Sequence, residues 1–379
     1  MSVGGAALRR SAASGSSRLP PLPSVGEVLR VYGLRAQKQL SQNFLLDMNL
    51  ARKFVRKAAA IGSGLVCEVG PGPGGLTRAA LEQAVSRVDV LEKDGRFLPA
   101  LERLRDASAG RLRVVQADAL RYDFSALWPL QSTSRPWLGP SPDCHLIGNL
   151  PFHIASPLLV GLLKAMGNRT GPFVYGRTPL TFTFQLEIGQ RLVAPINGAH
   201  RCRLSAFAQT YADVEHVFTI PGDSFVPRPR VDVAVVRLVP LEEPRIPVHV
   251  SVVYKFLTHL FHYRQKFCRR CLRDLYPREL WANVEQLLRV CRVNGRRRCV
   301  DLGMDEIRDM CLFYEEQCRR EPGLFLFDFR DKTAKDMQRL AARPNALPPP
   351  YPFASEVDGE GLSLEQFGRL DGVAAATSL

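Results

Sequence analysis

The sequence predicts an α/β nucleotide-binding domain of Rossmann type followed by a C-terminal helical domain. Short apolar runs at 65–69, 87–91, 112–116 and 144–147 alternate with stretches whose apolar residues have helical spacing. That alternation is typical of a parallel sheet covered by helices. The first run ends in a glycine-rich turn, and apolar residues recur at helical spacing again beyond about residue 250. A chain of 379 residues has room for a domain of about 200 residues and a smaller one.

The other elements follow from the same patterns. Helices are expected at 25–34, from about Asp47 towards Ala60, at 77–85, at 186–194 and at 203–211. A fifth strand is expected at 180–184, and alternation at 216–220 and 231–238 predicts an antiparallel pair. The predicted domains are 28–240 for the nucleotide-binding part and 245–335 for the helical part.

The turn after the first strand, Gly70-Pro71-Gly72-Pro73-Gly74-Gly75, favours a nucleoside-type ligand without phosphate. Glycine lets a ligand approach the backbone closely, whereas proline removes the N–H donors that a pyrophosphate needs. S-adenosylmethionine (SAM) is therefore the expected cofactor. The spacing Gly70-x-Gly72-x-x-Gly75 also satisfies the dinucleotide pattern, which leaves a nicotinamide-dependent dehydrogenase or a plain strand-to-helix turn as alternatives.

Two carboxylates stand where the next two predicted strands end. Glu92, in the pair Glu92-Lys93, lies about 20 residues after the first glycine, where a ribose diol is held in such folds. The alternative is a surface acid paired with Lys93. Asp118 can accept the exocyclic amine of an adenine while the backbone of Ala119 pairs with the ring. The alternative for Asp118 is an acid that begins a turn.

The fourth strand ends in Asn149-Leu150-Pro151-Phe152, which is the most specific chemical signal in the chain. Ligands bind beyond the carboxyl ends of strands in open parallel sheets. The Asn149 side-chain oxygen and the Leu150 carbonyl can accept the two hydrogens of an amino group on a planar base. Pro151 fixes the turn, and Phe152 can stack on the ring.

With Gln42-Asn43-Phe44-Leu45 and Glu68-Val69 added, these motifs resemble the ribosomal RNA adenine dimethyltransferase family, from about residue 34 to 330. The resemblance implies that Gln42, Asn43 and Leu45 close over SAM and that Gly70, in the turn with Gly72, contacts its methionine part. It implies that Glu92 holds the ribose, Asp118 and Ala119 the adenine, and that Asn149 lies between cofactor and target base. Phe225 would cover the second face of that base, or else be a core residue of a hairpin connection.

The activity implied by the resemblance is transfer of methyl groups from SAM to N6 of adenine, twice on each base. The implied substrate is a pair of adjacent adenosines in a hairpin near the 3′ end of the small-subunit ribosomal RNA. The alternative is a non-catalytic nucleic-acid-binding factor that acts in ribosome assembly or on mitochondrial DNA and the transcription machinery.

The net charge of +14 favours a polyanionic partner. In the helical part, an apolar stripe lies beside basic residues that are expected to contact RNA. The stripe is Val253, Phe256, Leu257, Leu260, Phe267, Cys271 and Leu275; the basic residues are Lys266, Arg269, Arg270, Arg273 and the run 296–298.

Residues 1–26 contain no acidic residue but three arginines, which favours a mitochondrial transit peptide at 1–27 and a location in the matrix. The segment 336–379 is expected to be a flexible tail. The nine cysteines predict reduced thiols, and Cys268-x-x-Cys271 lacks a second pair, so no metal is expected. No apolar run has the ~20 residues of a membrane span, and a monomer is expected.

Overall fold

A computed structural model describes residues 19–36, 42–58, 64–330 and 337–353. The strands are β1 Phe44–Leu45, β2 Leu65–Val69, β3 Arg87–Glu92, β4 Leu112–Gln116, β5 Cys144–Gly148, β6 Leu180–Gln185, β7 Ala212–Ile220, β8 Phe225–Val226 and β9 Val233–Pro240. The helices of the sheet domain are α1 Val25–Val31, α2 Met48–Ala58, α3 Gly75–Leu81, α4 Leu98–Ala107, α5 Leu130–Thr133, α6 Phe152–Gly167, α7 Leu186–Leu192 and α8 Arg203–Tyr211. The helical domain contains α9 Val250–Leu260, α10 Cys268–Leu272, α11 Trp281–Val290, α12 Met304–Arg320 and α13 Met337–Ala341.

The main sheet has the order β4-β3-β2-β5-β6-β9-β7. The strands from β4 to β6 in that order are parallel, and β9 pairs antiparallel with both β6 and β7. The predicted α/β fold and the antiparallel pair are therefore confirmed. Because β2 and β5 are buried on both faces, their sequences are mostly apolar, with one buried polar residue in each, Glu68 and His145. Their carboxyl ends lie side by side at one edge of the sheet.

Three predicted helices end earlier than expected. The first spans Val25–Val31, α3 ends at Leu81, and α7 ends at Leu192. After α3 the backbone turns at once into the sheet, since Ser86 donates to the Gly64 carbonyl at 2.9 Å. The helix predicted from Asp47 towards Ala60 is observed as far as Ala58, and residues 59–63 lie outside the described residues. The stretch 37–41 lies outside them as well.

The predicted leader 1–27 overlaps the folded part of the chain. Val25, the first residue of α1, is 1% exposed, and Leu29 of the same helix packs against the core cluster that contains Leu76 and Ala80 of α3. A capping box starts the helix: the Glu27 N–H donates to Ser24 Oγ at 3.2 Å, and the Ser24 N–H donates to Glu27 at 2.7 Å. The segment 19–27 is thus part of the domain, and residues 1–18 lie outside the described residues.

The two predicted domains share one hydrophobic core. Leu163 of α6, Phe207 of α8, Phe256 of α9 and Tyr314 of α12 are each at most 1% exposed and belong to one cluster. The other members of the predicted apolar stripe are buried, but Phe267 is 55% exposed. The helix ends at Leu260 and a turn precedes α10, so the helical period does not continue to Phe267.

The expected tail at 336–379 is also folded in part. Leu340 of α13 is fully buried, and the Gly323 N–H donates to the Ala346 carbonyl at 3.3 Å. The guanidinium of Arg169 lies 3.7 Å from the ring centroid of Phe353. Residues 337–353 therefore pack on the protein, and 354–379 lie outside the described residues.

Within the described residues no helix is long and apolar enough to cross a membrane. All nine cysteines are free, and Cys268 and Cys271 are buried. The part of the chain that the structure describes contains no group of metal-ligating side chains.

Candidate active site

A cleft lies at the carboxyl ends of β2, β3 and β5, beside the strand pair that β1 forms with β8. Its lining residues are Gln42, Asn43, Phe44, Leu45, Glu68, Gly70, Pro71, Gly72, Pro73, Gly75, Leu76, Glu92, Asn149 and Pro151. This set contains two carboxylic acids and no lysine or arginine. Such a lining suits a ligand that carries positive charge and no phosphate.

The glycine-rich turn keeps its N–H groups for the protein itself. Gly70 donates to the Leu91 carbonyl at 2.9 Å, Gly72 donates to Glu92 Oε2 at 3.0 Å, and Gly74 donates to the Pro71 carbonyl at 3.0 Å. All three glycines have positive φ, a region that L residues adopt only with strain. Because these three N–H groups are already used and two further positions of the turn are prolines, few donors remain for a pyrophosphate, which argues against the dinucleotide alternative.

Glu92 connects this turn to the end of β3. Its Oε2 accepts from Gly72, and its Oε1 accepts from the Asp94 N–H at 2.8 Å. Burial raises the pKa of Glu92, and the backbone hydrogen bonds oppose that shift. Each carboxylate oxygen keeps a second lone pair, so Glu92 can also accept from a pair of ligand hydroxyls.

Glu68, at the end of β2, is a second acid of the cleft that sequence reasoning did not select as a site residue. It is 1% exposed and accepts from Thr77 Oγ1 at 2.6 Å. Burial raises the pKa of Glu68 to about 8, against the lowering effect of the Thr77 hydroxyl. The acid is therefore protonated at neutral pH in the unliganded protein.

The loop that carries Gln42 and Asn43 is tied to the far side of the cleft. Gln42 Nε2 donates to Asp94 Oδ2 at 3.0 Å, and Arg96 holds the same oxygen at 2.6 Å. The Arg96 guanidinium lowers the pKa of Asp94. Leu45 is 6% exposed and pairs with Phe225 through the two short strands. The structure therefore brings Gln42, Asn43 and Leu45 together over the glycine turn.

Asp118 lies beyond the end of β4, next to the strand that carries Glu92. It accepts from the Leu120 N–H at 3.0 Å and from Lys93 Nζ at 2.9 Å, and the Lys93 contact lowers the pKa of Asp118. Ala119 is 8% exposed. Lys93 itself is 66% exposed, and none of Lys93, Asp118 and Ala119 is among the residues that line the cleft.

Asn149 follows β5 directly and projects into the cleft. Its Nδ2 donates to the Asn43 carbonyl at 2.9 Å, and its Oδ1 accepts from Thr183 Oγ1 at 3.0 Å. Leu150 is buried at 2% exposure, Pro151 caps α6, and Phe152 is the half-buried first residue of that helix. The tetrad therefore stands at the carboxyl end of a strand, as predicted.

Comparisons with known proteins agree with this arrangement. The sequence model of the family described as ribosomal RNA adenine dimethylase matches residues 33–314. The chain belongs to this family. The Caenorhabditis elegans protein "Dimethyladenosine transferase 1, mitochondrial" is 45% identical over 344 residues, 89% of this chain and 93% of that relative. The human protein of the same name is 43% identical over 325 residues, 85% of this chain and 94% of its own.

A solved structure, described as a dimethyladenosine transferase from Plasmodium falciparum, shares the fold. It is 20% identical, with a TM-score of 0.55, and the match covers 72% of this chain and 97% of that chain. As a ribosomal RNA adenine dimethylase, the protein is an rRNA adenine dimethyltransferase and uses SAM as its cofactor. The residues present fit SAM, because a cleft lined by two carboxylic acids and by no lysine or arginine matches a cationic nucleoside.

For Phe225 of the dimethylase, the sequence left two interpretations: a cover for the target base or a core residue of a hairpin connection. Phe225 is 2% exposed, does not line the cleft, and packs in the core. Side chains alternate along a strand, so in β8 the neighbouring Val226 points outward instead, with 49% exposure. In this structure Phe225 therefore lies where the alternative interpretation, a core residue of a hairpin connection, places it.

Sequence reasoning missed Thr183 and Thr77, which hold the two polar side chains Asn149 and Glu68. Both threonines are at most 1% exposed. The available signal was a hydroxyl at a buried position: Thr181 and Thr183 interrupt an otherwise apolar strand. A buried hydroxyl needs a partner, and the sequence does not show which one.

Proposed function

We propose that this dimethyltransferase modifies N6 of two adjacent adenosines in the 3′-terminal hairpin of the mitochondrial small-subunit rRNA and so supports small-subunit assembly. The family membership and the names of the relatives support the reaction and the organelle. The segment 1–18, which contains three arginines and no acidic residue, supports import into the matrix. The hairpin and the pair of adenosines are the substrate that the family resemblance implies.

The observation that carries the proposal is the position of Asn149. When bound, SAM supplies an electrophilic methyl group on a sulfonium. In our proposal Asn149 Oδ1 and the Leu150 carbonyl accept the two hydrogens of the adenine amine. Accepting both hydrogens localises the nitrogen lone pair in the direction of the methyl group, and the protein holds the base in line for transfer. Phe152 stacks on the base.

The cofactor side of the cleft supports a matching set of roles. Glu92 accepts the ribose hydroxyls with the lone pairs that its backbone partners leave, and Gly70 lets the methionine part approach the turn. Asp118 and Ala119 bind the adenine of the cofactor at the neighbouring strand end. The carboxyl group of Glu92, which lines the cleft, favours the positive charge of the ligand.

An aromatic residue between basic ones supports RNA binding by the helical domain. Phe267 is exposed, follows Lys266, and forms an antiparallel bridge with Arg298 that brings the run 296–298 beside it. Most of the predicted basic residues are already paired, including Arg270 with Asp274 at 2.7 Å, Arg269 with Glu285 at 3.3 Å and Arg298 with Asp301 at 3.0 Å. Lys266 and Arg296, on either side of Phe267, are exposed neighbours outside these pairs. We therefore propose that the contact centres on Phe267, with a base stacked on its ring and phosphates on its cationic neighbours.

The test is incubation of the purified protein with labelled SAM and the 3′-terminal hairpin RNA, followed by mapping of methylated adenines by mass. We expect two adjacent N6,N6-dimethyladenosines. Asn149→Ala should keep SAM binding, measured by calorimetry, and lose most turnover. Asn49→Ala, which removes a surface amide that contacts Arg52, is the control and should leave turnover unchanged. Undiminished methylation by Asn149→Ala would remove Asn149 from the mechanism.

A further inference from the structure

The carboxamide of Asn149 is held at both ends, and the two partners define its orientation. The Asn43 carbonyl can only accept a hydrogen bond, so the group that faces it at 2.9 Å is the Nδ2 amide NH2 of Asn149. Oδ1 must then face Thr183, whose hydroxyl donates to it at 3.0 Å. The reversed carboxamide would place its oxygen against the Asn43 carbonyl, which has no hydrogen to donate.

Thr183 is suited to this task by its place in the sheet. It lies on β6, which pairs parallel with β5, the strand that ends just before Asn149. Its side chain is 1% exposed, so the hydroxyl has little access to water and needs a protein partner. Oδ1 of an amide can accept two hydrogen bonds, and the Thr183 bond leaves one lone pair for a substrate amine.

The same strand contains a threonine with a different partner. Thr181 is two residues earlier, on the same face of β6, and is 2% exposed. Its hydroxyl donates to the Ala58 carbonyl at 3.0 Å, at the end of α2. Thr181 thus shares the strand, the face and the burial of Thr183 but makes no contact with Asn149.

We propose that Thr183 is a positioning residue for methyl transfer: its hydroxyl, together with the Asn43 carbonyl, keeps the Asn149 oxygen turned towards the target amine. This inference rests on the role proposed above for Asn149. Asn43 also lines the cofactor cleft, so the loop that closes over SAM is joined to the amide that orients the base. Without the Thr183 hydroxyl the carboxamide loses the donor that orients its oxygen, and fewer bound bases are correctly held.

The experiment compares Thr183→Val, Thr183→Ala, Thr183→Ser and the matched control Thr181→Val in the full chain. Single-turnover methylation of the hairpin RNA at saturating SAM and RNA gives the rate, calorimetry gives the Kd for SAM, and thermal scans give Tm. We expect Thr183→Val and Thr183→Ala to lower the rate about tenfold with the SAM Kd changed less than twofold. Thr183→Ser should restore most of the rate, because it keeps the donor.

Thr181→Val should lower Tm like Thr183→Val and keep the rate within about twofold of the parent. Equal rates for the two valine variants, or a loss of SAM binding that accounts for the slower Thr183→Val, would overturn the inference. Asn149→Ala, measured beside them, separates the two proposals. If Asn149→Ala is inactive and Thr183→Val is as fast as Thr181→Val, only the Thr183 inference fails. If Asn149→Ala is fully active, the role of Asn149 fails and the inference fails with it.

Discussion

The backbone N–H of Gly72 donates to Oε2 of Glu92 at 3.0 Å, so the glycine-rich turn and the acid that ends β3 form one unit. The turn is not shaped by its glycines alone, since a side chain from the neighbouring strand holds its centre. Any ligand that hydrogen-bonds to Glu92 therefore contacts a residue whose position also fixes the cofactor turn.

The substitution Glu92→Gln should weaken SAM binding, although glutamine has nearly the same size and shape as glutamate. A glutamine side chain has only one acceptor oxygen, so its amide NH2 group must face the N–H of either Gly72 or Asp94. Two hydrogen-bond donors then face each other, and one hydrogen bond is lost. Loss of hydrogen bonds to a charged group predicts a roughly 10- to 100-fold increase in the SAM Kd, measured by calorimetry. Glu187→Gln, at an exposed acid paired with Arg191 on α7, is the control and should bind SAM normally. If Glu92→Gln and Glu187→Gln bind SAM with equal affinity, Glu92 does not contribute to cofactor binding.

The core of the sheet is predictable, since its buried parallel strands are short and mostly apolar runs. The bounds of α8 agree with those expected from the sequence. The residues whose positions differ from the sequence-based expectation depend on turns and long-range contacts that the sequence does not show. Phe267 does not lie on the predicted apolar stripe, because the chain turns after Leu260 and a new helix, α10, begins at Cys268. Phe225 is buried because a strand of two residues sets which side chain points inward. Thr183 meets a partner 34 residues away.

Gly148 should be intolerant of a methyl group, because the ends of β5 and β2 are close together there. A Cβ at this position would lie 2.7 Å from the Val69 carbonyl oxygen and 3.0 Å from Leu150 Cδ2. Gly148→Ala should lower the free energy of unfolding by about 1–3 kcal/mol and reduce methylation, since the shift displaces Asn149. Urea denaturation and the hairpin assay measure both effects.

Gly161 is the matched control for that substitution. It lies within α6, and a Cβ there meets nothing within 4 Å. Gly161→Ala should therefore raise the free energy of unfolding by about 0.5–1 kcal/mol and keep full activity. A Gly148→Ala variant as stable as Gly161→Ala would contradict the tight packing of the strand ends.

Phe267→Ala should weaken RNA binding without changing the affinity for SAM. Stacking of one base on an aromatic ring contributes about 1–3 kcal/mol, so the RNA Kd should rise roughly 5- to 150-fold. Phe267→Trp keeps the stacking surface and should bind like the parent. Leu138→Ala, which removes an apolar side chain of 56% exposure from another surface, is the control. Similar RNA affinities for Phe267→Ala and Leu138→Ala, from filter binding at fixed salt, would exclude stacking at Phe267.

Glu68 should make the unliganded protein less stable as the pH rises. Burial raises its pKa from the ordinary value of 4.5 to about 8, so the folded state keeps a proton that the unfolded chain releases above pH 4.5. The relative stabilisation is full below pH 4.5 and is lost as the pH rises towards 8, because the unfolded state then binds fewer protons than the folded state. At 1.36 kcal/mol for each unit of pKa, about 5 kcal/mol is the upper limit of the loss.

Glu68→Gln isolates this effect, because glutamine resembles the neutral acid and does not ionise. Urea denaturation of the unliganded proteins should give similar free energies of unfolding at pH 5, and Glu68→Gln should be more stable than the parent by at least about 1 kcal/mol at pH 8. Other titrating groups are common to both proteins, so they cancel in the difference. Glu279→Gln, at an exposed glutamate, should show no such divergence. If the difference between Glu68→Gln and the parent does not change with pH, the Glu68 carboxyl does not hold its proton in the folded protein.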